Sequence, residues 1–333
     1  MIKYALANLT RVRAALSQRI KPEVPKSAKR FPKLAKITQM EEQAAQTLRS
    51  IVLATDFSSS IRGAERYAAL LAQHYDADLI VAHAFVLEQA AMEAEELAHV
   101  RSLQRQDLEC RLSETVKELT RFVPKSASVL AQGNPVDVID RVLQQHRPAM
   151  VVLGTHGGGA TERRFIGSVA EGILRTIHDP VLTVGPHVAT PSADRLVFRH
   201  ILYATDFSAA AALAGSHALA LARSFGSDLD VLHVVSEDAT VKRDLIAREE
   251  REFLTAQGEL NPGDSDAFPR SHTFVETGKA RERILERSRE GGVDLIVLGA
   301  HYHSHFARHL RTGPAFQIIL EATCPVLTVC APE

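Results

Sequence analysis

The spacing in this chain best suited to holding a phosphate group is Gly154-Thr155-His156-Gly157, then nine residues, then Gly167-Ser168-Val169. Glycines let backbone amides approach a ligand with no Cβ in the way. A helix opening at Ser168 would present unpaired N–H groups and the positive end of its dipole, and the Ser168 hydroxyl could add a donor. The same glycines also suit a strand end followed by a turn, so the spacing alone leaves both uses open.

Asp56, in Ala54-Thr55-Asp56-Phe57-Ser58, is the second candidate, and it follows the apolar run Ile51-Val52-Leu53. Ligands of open parallel sheets bind beyond the carboxyl ends of the strands, where the strand order reverses. A carboxylate there can accept from a ribose hydroxyl or a base amine; the alternative is that Asp56 or Ser58 caps the next helix. His83 and His233 end apolar runs with no second metal ligand at suitable spacing, and are expected to be packed side chains. His301, His303, His305 and His309 cluster in the second half, a pattern commoner on surface loops than at metals, so no metal site is expected. Cys110, Cys324 and Cys330 show no CxxC spacing and are expected to be small buried hydrophobes in a reducing compartment. No Ser/His/Asp or Cys/His set suggests nucleophilic catalysis. The Gly-x-x-x-x-Gly-Lys-Ser/Thr loop of strong NTPases is missing too, so no catalytic residue is assigned.

Short apolar runs alternate with helical patterns along the chain. Ile51–Ala54, Leu79–His83, Ser128–Ala131, Met150–Leu153 and Val181–Val184 read as strands, with helical stretches between them, which predicts βαβ units on a buried parallel sheet. The order then repeats. Ile51 to Ser58 returns as Ile201 to Ser208, 150 residues on, and Pro180-Val181-Leu182-Thr183-Val184 returns as Pro325-Val326-Leu327-Thr328-Val329, 145 residues on. Collinear blocks at nearly constant offset mean duplication. Three segments follow from this: residues 1–48, a first domain over 49–186 and a second over 198–331, joined by a linker with Pro186, Pro191 and Ser192. Up to residue 40 the first segment carries ten Lys and Arg against the single acid Glu23. It suits a basic amphipathic helix or a poorly ordered tail, and the second is favoured.

Composition narrows the function classes. The 333 residues are 45% hydrophobic and 24% charged with a net charge of −1, as in a folded globular protein. Without a global basic excess, and without Trp, no nucleic-acid partner is expected. No apolar run is long enough for a transmembrane segment and no signal-type apolar stretch opens the chain, so a cytoplasmic location is expected.

The glycine spacing and the Ala-Thr-Asp-Phe-Ser strand end resemble the universal stress protein family, whose motif G-x2-G-x9-G-[S/T] is matched by Gly154, Gly157, Gly167 and Ser168. The resemblance implies two tandem Rossmann-like α/β domains, each a five-stranded parallel sheet of order 3-2-1-4-5 flanked by helices. It also implies an adenine nucleotide, ATP or AMP with or without Mg2+. The base would be held by Asp56 and the backbone at Ala84, and the ribose and phosphates by Gly154, Gly157, Gly167, Ser168 and Val169. The second half departs from the motif: Gly299 is kept, but Tyr302 stands for Gly157, and Thr312-Gly313-Pro314 stand for Gly167-Ser168-Val169. The expected function is a nucleotide-binding sensor or regulator in a stress response, acting through a regulatory protein partner. The alternatives are a slow ATPase or a non-binding interaction module. The two domains are expected to pair as an internal pseudo-dimer through their last strands, with a homodimer of chains as a further level.

Overall fold

A computed structural model describes residues 48–86, 94–155, 166–192, 194–235, 270–300 and 313–331. The basic N-terminal stretch, Gly157, the His301–His309 cluster, Tyr302 and Thr312 lie outside the described residues. The first copy contains β1 (Ser50–Ala54), α1 (Arg62–Tyr75), β2 (Asp78–Phe85), α2 (Ala94–Leu119), β3 (Ser126–Gln132), α3 (Pro135–Gln145), β4 (Ala149–Gly154), α4 (Ser168–Thr176) and β5 (Val181–Val184). The second contains β6 (His200–Thr205), α5 (Ala209–Phe225), β7 (Asp228–Val235), β8 (Ser271–Thr277), α6 (Ala280–Glu290), β9 (Leu295–Ala300), α7 (Pro314–Glu321) and β10 (Val326–Cys330).

The strands form one sheet in the order β3-β2-β1-β4-β5-β10-β9-β6-β7-β8. Pairing is parallel within each copy and antiparallel where the copies meet, at β5 and β10. The carboxyl ends of the first copy's strands therefore open at one end of the sheet and those of the second copy at the other.

The meeting of β5 and β10 has local two-fold symmetry. Leu182 lies opposite Leu327, its own equivalent, and both are fully buried. On either side, Thr183 Oγ1 donates to the Val326 carbonyl at 3.0 Å and Thr328 Oγ1 to the Val181 carbonyl at 3.3 Å. Each buried hydroxyl is satisfied by the other copy's backbone. Equivalent residues also meet between α1 and α5: His74 Nε2 lies 2.7 Å from Ser224 Oγ, and the Tyr75 and Phe225 rings are 6.1 Å apart, edge to face.

Sheet residues alternate between two apolar layers. Ile51 and Leu53 face α1 and α2, whereas Val52 faces the layer with Ile139 of α3 and Ile173 of α4. Each layer runs through both copies, with Ala214 and Leu221 of α5 in the first and Ile284 of α6 and Ile318 of α7 in the second. Strands buried on both faces are apolar at nearly every position, which is why they read as near-continuous runs. The linker adds Leu196 and Phe198 to the α1 layer, and Asp194 accepts from Arg66 of α1 at 3.1 Å. One cysteine expectation is corrected: Cys324 and Cys330 are buried, but Cys110 is exposed, because α2 turns that face away from the sheet.

Candidate functional site

In the first copy β1 lies between β2 and β4, with Ala54 paired to Ala82 on one side and to Leu153 on the other. The chain runs from β1 outward through β2 and β3, then crosses to β4 and β5, so the order reverses between β1 and β4. Asp56 follows β1, Ala84 lies near the end of β2 and Gly154 ends β4; all three stand at the carboxyl end of the sheet beside that reversal.

Gly167, Ser168 and Val169 come from further along the chain, and the structure brings them back to Gly154. The Gly167 amide donates to the Thr155 carbonyl at 2.8 Å, closing the intervening segment at its base. Gly167 takes an extended conformation at the N-cap of α4, its carbonyl accepts the first helical bond from Glu171 N at 2.9 Å, and among the described residues no side chain caps the helix. The amides of Ser168 and Val169 belong to the orphan donors of a helix start, and both residues are exposed. The Gly167 amide is already used within the fold, so the donors open to a ligand begin at Ser168.

The turn after β1 is built around Asp56. Its Oδ1 accepts from Ser58 N at 3.0 Å and from Ser58 Oγ at 2.6 Å, and Thr55 Oγ1 accepts from Phe57 N at 3.1 Å. Phe57 sits at φ +59°, a left-handed conformation that a bulky residue rarely adopts. Asp56 is exposed and shapes this turn; it does not cap α1, which begins only after a single 3-10 turn over Ser59–Ile61. His83 is a packed side chain, as expected. Its Nδ1 donates to the Thr55 carbonyl at 2.7 Å, and its ring lies 4.5 Å from that of Phe57. Burial is the main cause that pushes His83 below the ordinary imidazole range; the Thr55 carbonyl opposes it, the Arg111 charge adds to it, and Asp56 opposes it. A neutral ring with its proton on Nδ1 follows, leaving Nε2 as an acceptor.

Sequence reasoning missed Arg111. It reaches from α2 to place its guanidinium carbon 4.5 Å from the Phe57 ring centre, with Nη2 3.5 Å from the Phe57 carbonyl. Nothing local in the sequence links positions so far apart.

The second copy repeats the first turn closely. Asp206 Oδ1 accepts from Ser208 N at 3.0 Å, Phe207 has φ +60°, and His233 Nδ1 donates to the Thr205 carbonyl at 2.8 Å. Its helix start differs. Gly313 is the N-cap of α7, in the extended conformation seen at Gly167, and Pro314 is the first helical residue. Gly313 lies 145 residues after Ser168, not after Gly167, so α7 opens one residue later than α4 and its first residue has no N–H. Gly299 has a packing reason of its own: a Cβ there would fall 2.3 Å from the Ala211 amide nitrogen at the start of α5.

The two doubly wound half-sheets, with strand order reversing between β1 and β4 and between β6 and β9, define a tandem α/β protein of Rossmann-like type. The universal stress protein family model matches residues 47–185 and 198–329, and the chain belongs to that family. A universal stress protein of Mycolicibacterium smegmatis is 25% identical over 287 residues, covering 84% of this chain and 96% of that protein. One from Thermus aquaticus is 30% identical over 138 residues, covering 41% of this chain and 98% of that protein. The crystal structure of a universal stress protein from Archaeoglobus fulgidus matches with a TM-score of 0.65 at 20% identity, covering 85% of this chain and 97% of that one. Among the described residues no helix is long and apolar enough to cross a membrane.

Proposed function

We propose that the first copy binds one adenine nucleotide, ATP or AMP, and that the protein acts as a cytoplasmic sensor or regulator in a stress response. The observation that carries this reading is the hydrogen bond from the Gly167 amide to the Thr155 carbonyl. It sets the uncapped start of α4 beside Gly154, at the same carboxyl end as Asp56 and Ala84. A helix start whose first amides have no partner among the described residues suits phosphate oxygens, with or without Mg2+, through Ser168 and Val169. The exposed Asp56 suits a ribose hydroxyl or base amine, and the Ala84 backbone suits the base edge. Gly157, from outside the described residues, completes the motif by sequence. The binding unit is the segment 49–186. The segment 198–331 keeps the Asp206 turn but starts α7 with Pro314, so it is a degenerate site. Lacking a phosphate-loop lysine, the chain is suited to reporting a bound nucleotide to a protein partner rather than turning it over.

The test is mass spectrometry of nucleotide released from protein purified without added ligand, followed by calorimetry with ATP and AMP. One adenine nucleotide per chain is expected. A stoichiometry near two, or no binding at millimolar ATP, overturns the reading.

A further inference from the structure

We infer that Arg111 of α2 is a positioning residue of the first crevice, which acts through Phe57 to hold His83 and the Asp56 turn in place. This rests on the nucleotide reading of that crevice for its consequence, but not for its geometry.

Phe57 is the joint between these groups. Its left-handed φ of +59° is unfavourable for a side chain with a bulky ring, so the surroundings must impose it. From one side the Phe57 amide is held by Thr55 Oγ1 at 3.1 Å, and the next amide, Ser58 N, by Asp56 Oδ1 at 3.0 Å. From the other side the Arg111 guanidinium lies over the ring at 4.5 Å and reaches the Phe57 carbonyl at 3.5 Å. The Phe57 ring also meets His83, whose ring is 4.5 Å away and whose Nδ1 donates to Thr55 O at 2.7 Å. Arg111 of α2 and His83 of β2 thus both contact Phe57, the residue that follows Asp56 in the turn. A planar guanidinium suits this position: it can stack on a ring and donate in its plane at once, which an ammonium cannot do.

The charge has a separate effect. The groups that act on His83 are its burial, the Thr55 carbonyl, Arg111 and Asp56, and of the two charges Arg111 disfavours the imidazolium while Asp56 favours it. Removing Arg111 takes away one of the causes that keep His83 neutral and leaves burial alone to oppose Asp56 and the Thr55 carbonyl.

The experiment uses the full chain with Arg111→Leu and Arg111→Lys. Arg111 is exposed, so neither change should prevent folding. The first readout is the NMR titration of His83 without ligand. Its midpoint should rise in Arg111→Leu and stay near the wild-type value in Arg111→Lys, which keeps the charge. The second is ATP affinity by calorimetry at pH 8, where His83 is neutral in every variant. Affinity should fall about fivefold in Arg111→Leu, with little rescue in Arg111→Lys, because the planar stack is lost in both. An unchanged His83 midpoint in Arg111→Leu overturns the inference. A moved midpoint with unchanged ATP affinity removes Arg111 from the crevice. A moved midpoint in a protein whose wild type binds no ATP leaves the Arg111 role standing and overturns the nucleotide reading instead.

Discussion

Ser58 and Ser208 are the same residue at the same place in the two copies, yet their hydroxyls do different work. Ser58 Oγ donates to Asp56 Oδ1 at 2.6 Å, and the chain passes through a 3-10 turn before α1 begins. Ser208 Oγ accepts from Ala211 N at 3.2 Å and caps α5, which starts at once. The second copy has used the hydroxyl for helix stability, while the first has used it to tie up one oxygen of an exposed carboxylate. The helix starts on the opposite side of each crevice differ in the same sense. In the first copy α4 opens with amides exposed at Ser168 and Val169, and in the second α7 opens with Pro314. Duplication kept the scaffold of both strand-order reversals, and the two copies differ locally at two helix starts.

The largest effect should come from breaking the surface on which the copies are compared. Leu327 is fully buried on the local two-fold axis, so Leu327→Ala should cost about 2–5 kcal/mol. Because the sheet and both apolar layers run through the two copies, urea unfolding followed by circular dichroism should remain one transition. Two resolved transitions would mean that the copies fold independently and merely touch.

Acid should act in part through a residue that differs between the copies. His217 of α5 occupies the place of Tyr67 in α1. Burial pushes His217 down to about 4, and burial, with smaller charge effects, pushes Tyr67 up to about 12. The folded value of His217 lies below its unfolded value, so its contribution is present above pH 6.5 and is lost as the pH falls from there toward 4. The loss at pH 4 should be on the order of 2–3 kcal/mol, while Tyr67 stays neutral across this range. His217→Tyr should flatten the acid limb of stability measured by denaturant at pH 7.5 and 4.5. An equally steep limb in the variant would place the acid sensitivity elsewhere.

Val169→Pro puts proline at the position that matches Pro314 in sequence, 145 residues on, although it is the second residue of α4 and not the first. Proline is tolerated in the first turn of a helix, so the loss of stability should be small, and one amide of the α4 start is removed. A lost hydrogen bond to a charged group is worth about 1.5–3 kcal/mol, so ATP affinity by calorimetry should fall about 10- to 150-fold. Pro314→Val should restore little in the second copy, since α7 also opens one residue late. Unchanged ATP affinity in Val169→Pro would show that the α4 start does not hold phosphate.

The smallest contrast concerns the two serines. Ser208→Ala removes a helix cap and should cost about 0.5–2 kcal/mol of stability. Ser58→Ala removes no cap and should cost less, because the partners of its hydroxyl, Asp56 and Ser60, are exposed and can turn to water. Equal losses in thermal unfolding would erase the distinction drawn between the two turns.

Much of this was legible in the sequence, for local reasons. Parallel strands buried on both faces have to be apolar at successive positions, so Ile51-Val52-Leu53 and Met150-Val151-Val152-Leu153 announced themselves. Gly167-Ser168 marked the start of α4. The collinear repeat exposed the duplication. Each of these signals depends on residues a few positions apart, whose conformation or burial constrains their type directly.

What only the tertiary structure decided lies between residues far apart in the chain. Pro-Val-Leu-Thr-Val in both copies suggested that the last strands meet, but the antiparallel register, with Leu182 on Leu327 and two threonines exchanging hydrogen bonds, depends on how two finished half-sheets fit. That Gly167 folds back on Thr155, that Gly299 is required by the start of α5, and that Arg111 reaches Phe57 likewise depend on where distant segments arrive. An arginine on an exposed helix face satisfies local sequence rules whether or not a ring lies beneath it, because solvation accepts it anywhere. Its partner is set by the angle and length of α2 over the sheet, and those are fixed by the packing of Leu112 and Leu119 beneath it, not by the residues beside Arg111.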